Sequence, residues 1–158
     1  MIEIRGVAEG GGRRIAVVAS RFNELVVARL VEGATACLRR LGVVDDDLLV
    51  VWVPGAFELP LVARALAATH TFDAVVCLGA VIRGETPHFD HIAGQAAEGI
   101  RRAGEDTGVP VVFGVLTTDT FEQAMDRAGG AHGNKGWDVV MTGVEMASVL
   151  EQLPKGEP

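Results

Sequence analysis

Four apolar runs, each followed by a segment of helical period, constrain this chain more than any other feature. The runs are Arg14 to Ala19, Leu48 to Val53, Asp73 to Leu78 and Val109 to Val115. Strands that read as continuous Val/Leu stretches are covered on both faces, as in a parallel sheet between helices. The first intervening segment, Glu24 to Leu41, carries Val27, Leu30, Val31, Ala34, Cys37, Leu38 and Leu41 at helical spacing. Gly42 is well placed to end that helix. Phe57 to Ala68, His88 to Ala103, Thr120 to Ala128 and Gly136 to Leu153 read as the remaining helices.

Strands separated by helices of this length form right-handed βαβ units. The expected fold is therefore α/β, one domain over residues 1–158. Its form is a flavodoxin-like three-layer sandwich around a four-stranded parallel sheet. Ile2 to Arg5 alternates in β fashion but precedes the flexible Glu9-Gly10-Gly11-Gly12. Such a strand is detached from its own sheet and free to pair with a neighbouring subunit.

A hydrophobic content of 49% and a mean hydropathy of +0.30 exclude a disordered chain. No apolar run approaches the ~20 residues of a membrane span. Leu48 to Phe57, the longest candidate, is broken by Pro54 and Gly55. Met1 to Arg5 lacks a basic start followed by an apolar stretch, so the cytoplasm is the default location. The net charge of −7 argues against a general nucleic-acid binder. An anionic ligand would need a local positive site supplied by few residues. Cys37 and Cys77 lie among apolar neighbours, with no metal-ligand or redox spacing, and read as inert buried thiols.

Ligands of open α/β sheets bind beyond the carboxyl ends of the strands. Four loops should converge there. After Ala19 comes Ser20-Arg21-Phe22-Asn23. Phe22 is placed either to stack on a planar ring or to pack under the helix, and Asn23 to cap that helix. After Val53 comes Pro54-Gly55-Ala56-Phe57-Glu58. This is a tight turn in which Glu58 either favours the helix dipole or accepts hydrogen bonds from ligand hydroxyls. After Leu78 comes Gly79-Ala80-Val81-Ile82-Arg83-Gly84-Glu85-Thr86-Pro87-His88-Phe89-Asp90. It combines a flexible glycine, a hydroxyl, free amides at a helix start and, in His88, an imidazole that either carries a proton or is a surface or capping histidine. A phosphorylated small molecule is the ligand these groups suggest. His88 and His91 alone make a poor metal site, because no third ligand is evident. After Val115, Thr117 to Thr120 can cap the short helix that follows. Arg127 and the glycine-flanked Lys135 complete the set, each either a ligand contact or a solvated surface charge, and no P-loop pattern is present.

Ser20-Arg21-Phe22-Asn23, Pro54 to Glu58, Gly84 to Asp90, Gly133-Asn134-Lys135-Gly136 and Glu145-Met146-Ala147 occur in one order along the chain. That ordered set resembles the 6,7-dimethyl-8-ribityllumazine synthase family over essentially the whole length. The resemblance implies condensation of 5-amino-6-(D-ribitylamino)uracil with 3,4-dihydroxy-2-butanone 4-phosphate, the penultimate step of riboflavin biosynthesis. It implies no metal and no organic cofactor. By carry-over, Phe22 stacks on the pyrimidine, and Ala56, Phe57 and Glu58 hold the ribityl chain. Val81 and Ile82 line the heterocycle pocket, and Ala80 is a further substrate-binding position. Glu85 and Thr86 bind phosphate, Glu85 through its backbone alone because its carboxylate would repel the ligand. His88 carries protons, supported by Asp138. Phe113, Arg127 and Lys135 are expected from an adjacent subunit. The family also implies a homopentamer, in some members an icosahedral capsid, and a functional link to riboflavin synthase. A non-catalytic flavin-binding module and a catalytically dead shell protein are the competing readings.

Overall fold

A computed structural model of the chain describes residues 1–157. Strands and helices alternate: β1 (Ile15–Ser20), α1 (Glu24–Arg40), β2 (Leu48–Val53), α2 (Leu59–Ala68), β3 (Ala74–Ile82), α3 (His88–Thr107), β4 (Val111–Thr118) and α4 (Phe121–Asp126). A short antiparallel hairpin follows, β5 (Ala128–Gly130) with β6 (Gly133–Asn134), and then α5 (Lys135–Gln152). The main sheet is parallel throughout, in the order β2-β1-β3-β4. This is the expected α/β sandwich.

The two inner strands alternate between two cores, as the two-residue period of a strand requires. Ile15, Val17 and Ala19 of β1, with Ala74, Val76, Leu78 and Ala80 of β3, face α1 and α5. Ala16, Val18, Val75 and Cys77 face α2 and α3. Burial pushes the Cys77 thiol up to about 12 and the Cys37 thiol up to about 11, with Asp138 adding to the second. Both therefore stay protonated at neutral pH, as inert core thiols should.

Several boundaries differ from those the sequence suggests. β3 continues past Leu78 to Ile82, because Gly79 to Ile82 remain in register with Val115 to Thr118 of β4. Ala80, Val81 and Ile82 are therefore strand positions rather than loop. α3 runs on past Ala103 to Thr107, and the β5–β6 hairpin occupies a stretch that reads as a plain connection. Asn23 does not cap α1 with its side chain. It adopts a left-handed conformation that asparagine tolerates, and its Nδ2 donates to the Ala80 carbonyl at 2.9 Å.

The N-terminal arm pairs with no strand among the described residues. It lies along α5 instead. The Val7 amide donates to Ser148 Oγ at 3.2 Å, and Gln152 Nε2 donates to the Arg5 carbonyl at 2.9 Å. Arg13 grips Glu151 with two hydrogen bonds of 2.8 and 3.0 Å. The Gly10 amide ties the arm to the end of α1 through the Leu41 carbonyl at 2.8 Å.

Candidate active site

Because the four strands are parallel, their carboxyl ends share one edge, and the residues singled out above divide there into two groups. The larger concavity, about 600 Å³, lies beyond β2, β1 and β3. Phe22, Ala56, Phe57, Glu58, Ala80, Val81, Ile82, Thr86 and His88 line it. Its geometry follows from how each loop is held. The Arg21 amide donates to the Val53 carbonyl at 2.7 Å and the Phe22 amide to the Pro54 carbonyl at 3.0 Å, so the first two loops are laced together. The Phe22 ring is 72% exposed, which rules out the staple under α1 and leaves it free to meet a ligand. The Pro54-Gly55 turn leads into a single 3₁₀ turn, Ala56–Glu58, that sets Glu58 at the start of α2. β3 supplies Ala80, Val81 and Ile82 as a rigid wall, and Asn23 bonds to that wall at Ala80.

α3 opens at His88 with Pro87 before it, and no side chain caps its first amides. Gly84, Glu85 and Thr86 have no hydrogen-bond partner in the chain among the described residues. Unpartnered loop amides beside a helix start make an anion-accepting corner. Thr86 and His88 face the cavity, whereas Glu85 is exposed and does not line it. That placement fits a residue contributing backbone alone.

The second concavity, about 400 Å³, lies along the edge strand β4 and the start of α5. Phe113, Arg127, Lys135 and Asp138 line it, with Thr117, Thr118 and His132. Thr120 and Gln123 form a reciprocal capping box that fixes the start of α4. At its end the Lys135 amide donates to the Arg127 carbonyl at 2.8 Å, so the hairpin holds both cations together. Asn134 caps α5 by accepting from the Trp137 amide at 3.2 Å, and its Nδ2 donates to the Arg29 carbonyl at 3.0 Å. This seating needs glycine on both helices. A Cβ on Gly136 would meet the Leu30 carbonyl oxygen, and one on Gly33 would meet the Asn134 side chain, at impossible distances. Neither Arg127 nor Lys135 has a carboxylate partner among the described residues. Both charges are therefore available to an anion.

Sequence reasoning missed some of these lining residues. Phe89 and Ile92 enter the first concavity from the first turns of α3, where Ile92 lies one turn beyond His88. His132 enters the second, and its only signal was its place in the glycine-rich stretch before Lys135. Among the described residues no group of three or more His, Cys, Asp or Glu side chains is arranged to hold a metal ion, and no helix is long and apolar enough to cross a membrane.

Comparison with known proteins meets this geometry from the other side. A model of the 6,7-dimethyl-8-ribityllumazine synthase family matches residues 12–151. The 6,7-dimethyl-8-ribityllumazine synthase of Syntrophus aciditrophicus (strain SB) is 54% identical over 142 residues, covering 90% of this chain and 92% of that protein. The matched span runs from just before β1 almost to the end of α5, so it includes every loop that builds the two concavities. The chain belongs to the 6,7-dimethyl-8-ribityllumazine synthase family.

Proposed function

We propose that the two concavities are halves of one active site, and that the second half serves the pocket of an adjacent copy of the chain. The reaction is that of the family: the enzyme condenses 5-amino-6-(D-ribitylamino)uracil with 3,4-dihydroxy-2-butanone 4-phosphate, releasing phosphate and water. Phe22 stacks on the pyrimidine, and the heterocycle lies against Ala80, Val81 and Ile82. Ala56, Phe57 and Glu58 hold the ribityl chain, with the Glu58 carboxylate accepting from its hydroxyls. Thr86 and the loop amides, including that of Glu85, take the phosphate. Arg127 of the neighbour neutralises it, Lys135 approaches the pyrimidine, and Phe113 closes the pocket.

The chemistry needs these groups. Attack of the substrate amine on the ketone and loss of water require proton transfers, and His88 at the helix start is placed to carry them. Asp138 of the facing half supports that imidazole. Phosphate departure builds negative charge on the leaving group, which free amides and a guanidinium stabilise. Holding both substrates in one pocket removes much of the entropic cost of their meeting.

The observation that carries this reading is the segregation itself: among the described residues the larger concavity has no Lys or Arg in its lining, while Arg127 and Lys135 stand beside the edge strand with no carboxylate partner. A cyclic homopentamer, the unit from which an icosahedral capsid is built, brings the two together in every pocket. Ile2 to Arg5 adds to a neighbour's sheet. Riboflavin synthase is the functional partner for the product, and the cytoplasm is the site of action.

Complementation tests the divided site. His88→Ala and Arg127→Ala proteins are each impaired; after dissociation and joint reassembly, some pockets receive both native residues and activity partly returns. Mixed assemblies shown to form but no more active than their parents would sink the shared-site assignment.

A further inference from the structure

Arg83 follows the last residue of β3, does not line either concavity, and touches three elements at once. Its amide donates to the Thr118 carbonyl at 2.8 Å, carrying the β3–β4 contact one step beyond the strands. Its Nε donates to Asp119 Oδ1 at 2.9 Å, in the connection between β4 and α4. The guanidinium carbon lies 4.4 Å from the centroid of the Phe89 ring, in the first turn of α3. A terminal nitrogen is 3.7 Å from Asp90 Oδ1, one residue further on.

Between Arg83 and α3 lie Gly84 to Pro87, of which Gly84, Glu85 and Thr86 have no hydrogen bond among the described residues. A loop without internal bonds takes its shape from its ends. We propose that Arg83 is a positioning residue: its guanidinium clamps the first turn of α3 to the β4–α4 connection and so holds Thr86 and His88 in place for phosphate binding and proton transfer. The proposal rests on the reading of that site given above.

The chemistry favours arginine for this task. Each contact alone is of a kind that contributes little on an exposed surface. A planar guanidinium makes them together, stacking with its face while bonding through its edge, which a lysine ammonium cannot do. The clamp is also distinct from a phosphate ligand. Asp119 and Asp90 already engage the Arg83 charge, whereas Arg127 has no carboxylate partner among the described residues. Small displacements of a positioned catalytic group are costly, so a modest clamp has a large effect on rate.

The test uses the assembled enzyme and steady-state kinetics with both substrates varied. Arg83→Lys is expected to lower kcat/KM for the butanone phosphate by roughly ten- to a hundredfold while the KM for the pyrimidine stays within about twofold. Asp119→Asn should act in the same direction with a smaller effect. The double variant should be no worse than Arg83→Lys alone, because both changes open one clamp. Full activity in Arg83→Lys would overturn the proposal by showing that charge alone suffices. Tighter butanone phosphate binding in Asp119→Asn would overturn it too, since it would make Arg83 a direct ligand. Equal losses toward both substrates with a lowered Tm would mark a general structural role and also overturn it. Thr86→Val and His88→Ala, run alongside, separate the two readings. If those two are impaired and Arg83→Lys is not, only the clamp fails. If those two are unimpaired, the site reading fails and the clamp falls with it.

Discussion

The two concavities at the carboxyl edge of the sheet are built from opposite materials. The one beyond β1, β2 and β3 is roomy, largely apolar and aromatic, with Glu58 and His88 as its ionisable groups. The one along β4 is smaller and carries Arg127, Lys135, His132 and Asp138 around Phe113. The first can enclose a planar ring but has no cation to offer a phosphate. The second has the cations but is smaller, with Phe113 as the one phenyl ring in its lining among the described residues. In a chain of net charge −7, two cations beside the edge strand with no carboxylate partner among the described residues are a local exception to the acidic whole. The contrast teaches that a single copy keeps its ring-sized apolar hollow and its free cations in two separate places, which is what the proposed sharing between copies would reconcile.

The sharpest way to break this contrast is to remove the proton carrier from the first concavity. His88→Ala should slow turnover by about ten- to a thousandfold, with substrate affinity little changed. General acid–base help is commonly worth 10²–10⁴, and water or phosphate can replace part of it. Saturating-substrate turnover equal to wild type would remove His88 from the chemistry. Arg127→Ala is the matching cut in the second concavity. A charge-assisted phosphate contact is worth about 1.5–3 kcal/mol. The KM for the butanone phosphate should therefore rise by roughly ten- to a hundredfold, with that for the pyrimidine nearly constant. Equal weakening toward both substrates would reduce Arg127 to an interface charge.

The contrast was only half legible in the sequence. β1 and β2, their apolar runs and the helical period of α1 gave the sandwich, because burial on both faces leaves unbroken Val/Leu stretches. The end of β3 was harder to read, since Gly79 and Ala80 look like loop residues until the β4 register is seen. The hairpin that holds Arg127 beside Lys135 has no apolar alternation to announce it: it is made of glycine, alanine, histidine and asparagine, and its two strands span three and two residues. Asn23 looked like a cap because capping is local and its bond to Ala80 is not. The Arg83 clamp was invisible for the same reason, its partners Asp119 and Phe89 being joined to it only by the fold.

The smallest effect tests whether the support of one concavity can be loosened without touching the other. The N-terminal arm docks on α5, whose first residue is Lys135, and not on the strands beneath His88. Its anchor is Arg13 on Glu151. The hydrogen bond from Arg13, reinforced by that residue's charge and opposed by slight desolvation, holds the Glu151 carboxyl below its ordinary value. Asp73 is a more distant partner of Arg13, at 3.8 Å. A carboxylate with a depressed folded pKa stabilises the docked arm above its unfolded pKa, near ~4.3, and that contribution fades as pH falls through the lower folded value. Glu151→Gln should therefore lower the amide-exchange protection of Val7 by a few-fold at pH 7. At a pH below the folded pKa of Glu151, wild type and variant should coincide. Protection across β1 and β3 should be unchanged at pH 7, because those strands are held by pairing with each other, β2 and β4 rather than by the Arg13–Glu151 contact. A difference that persists undiminished in acid would show that the charge on Glu151 is not what holds the arm. A loss of protection reaching β3 and the first turn of α3 would show that the two concavities share a support.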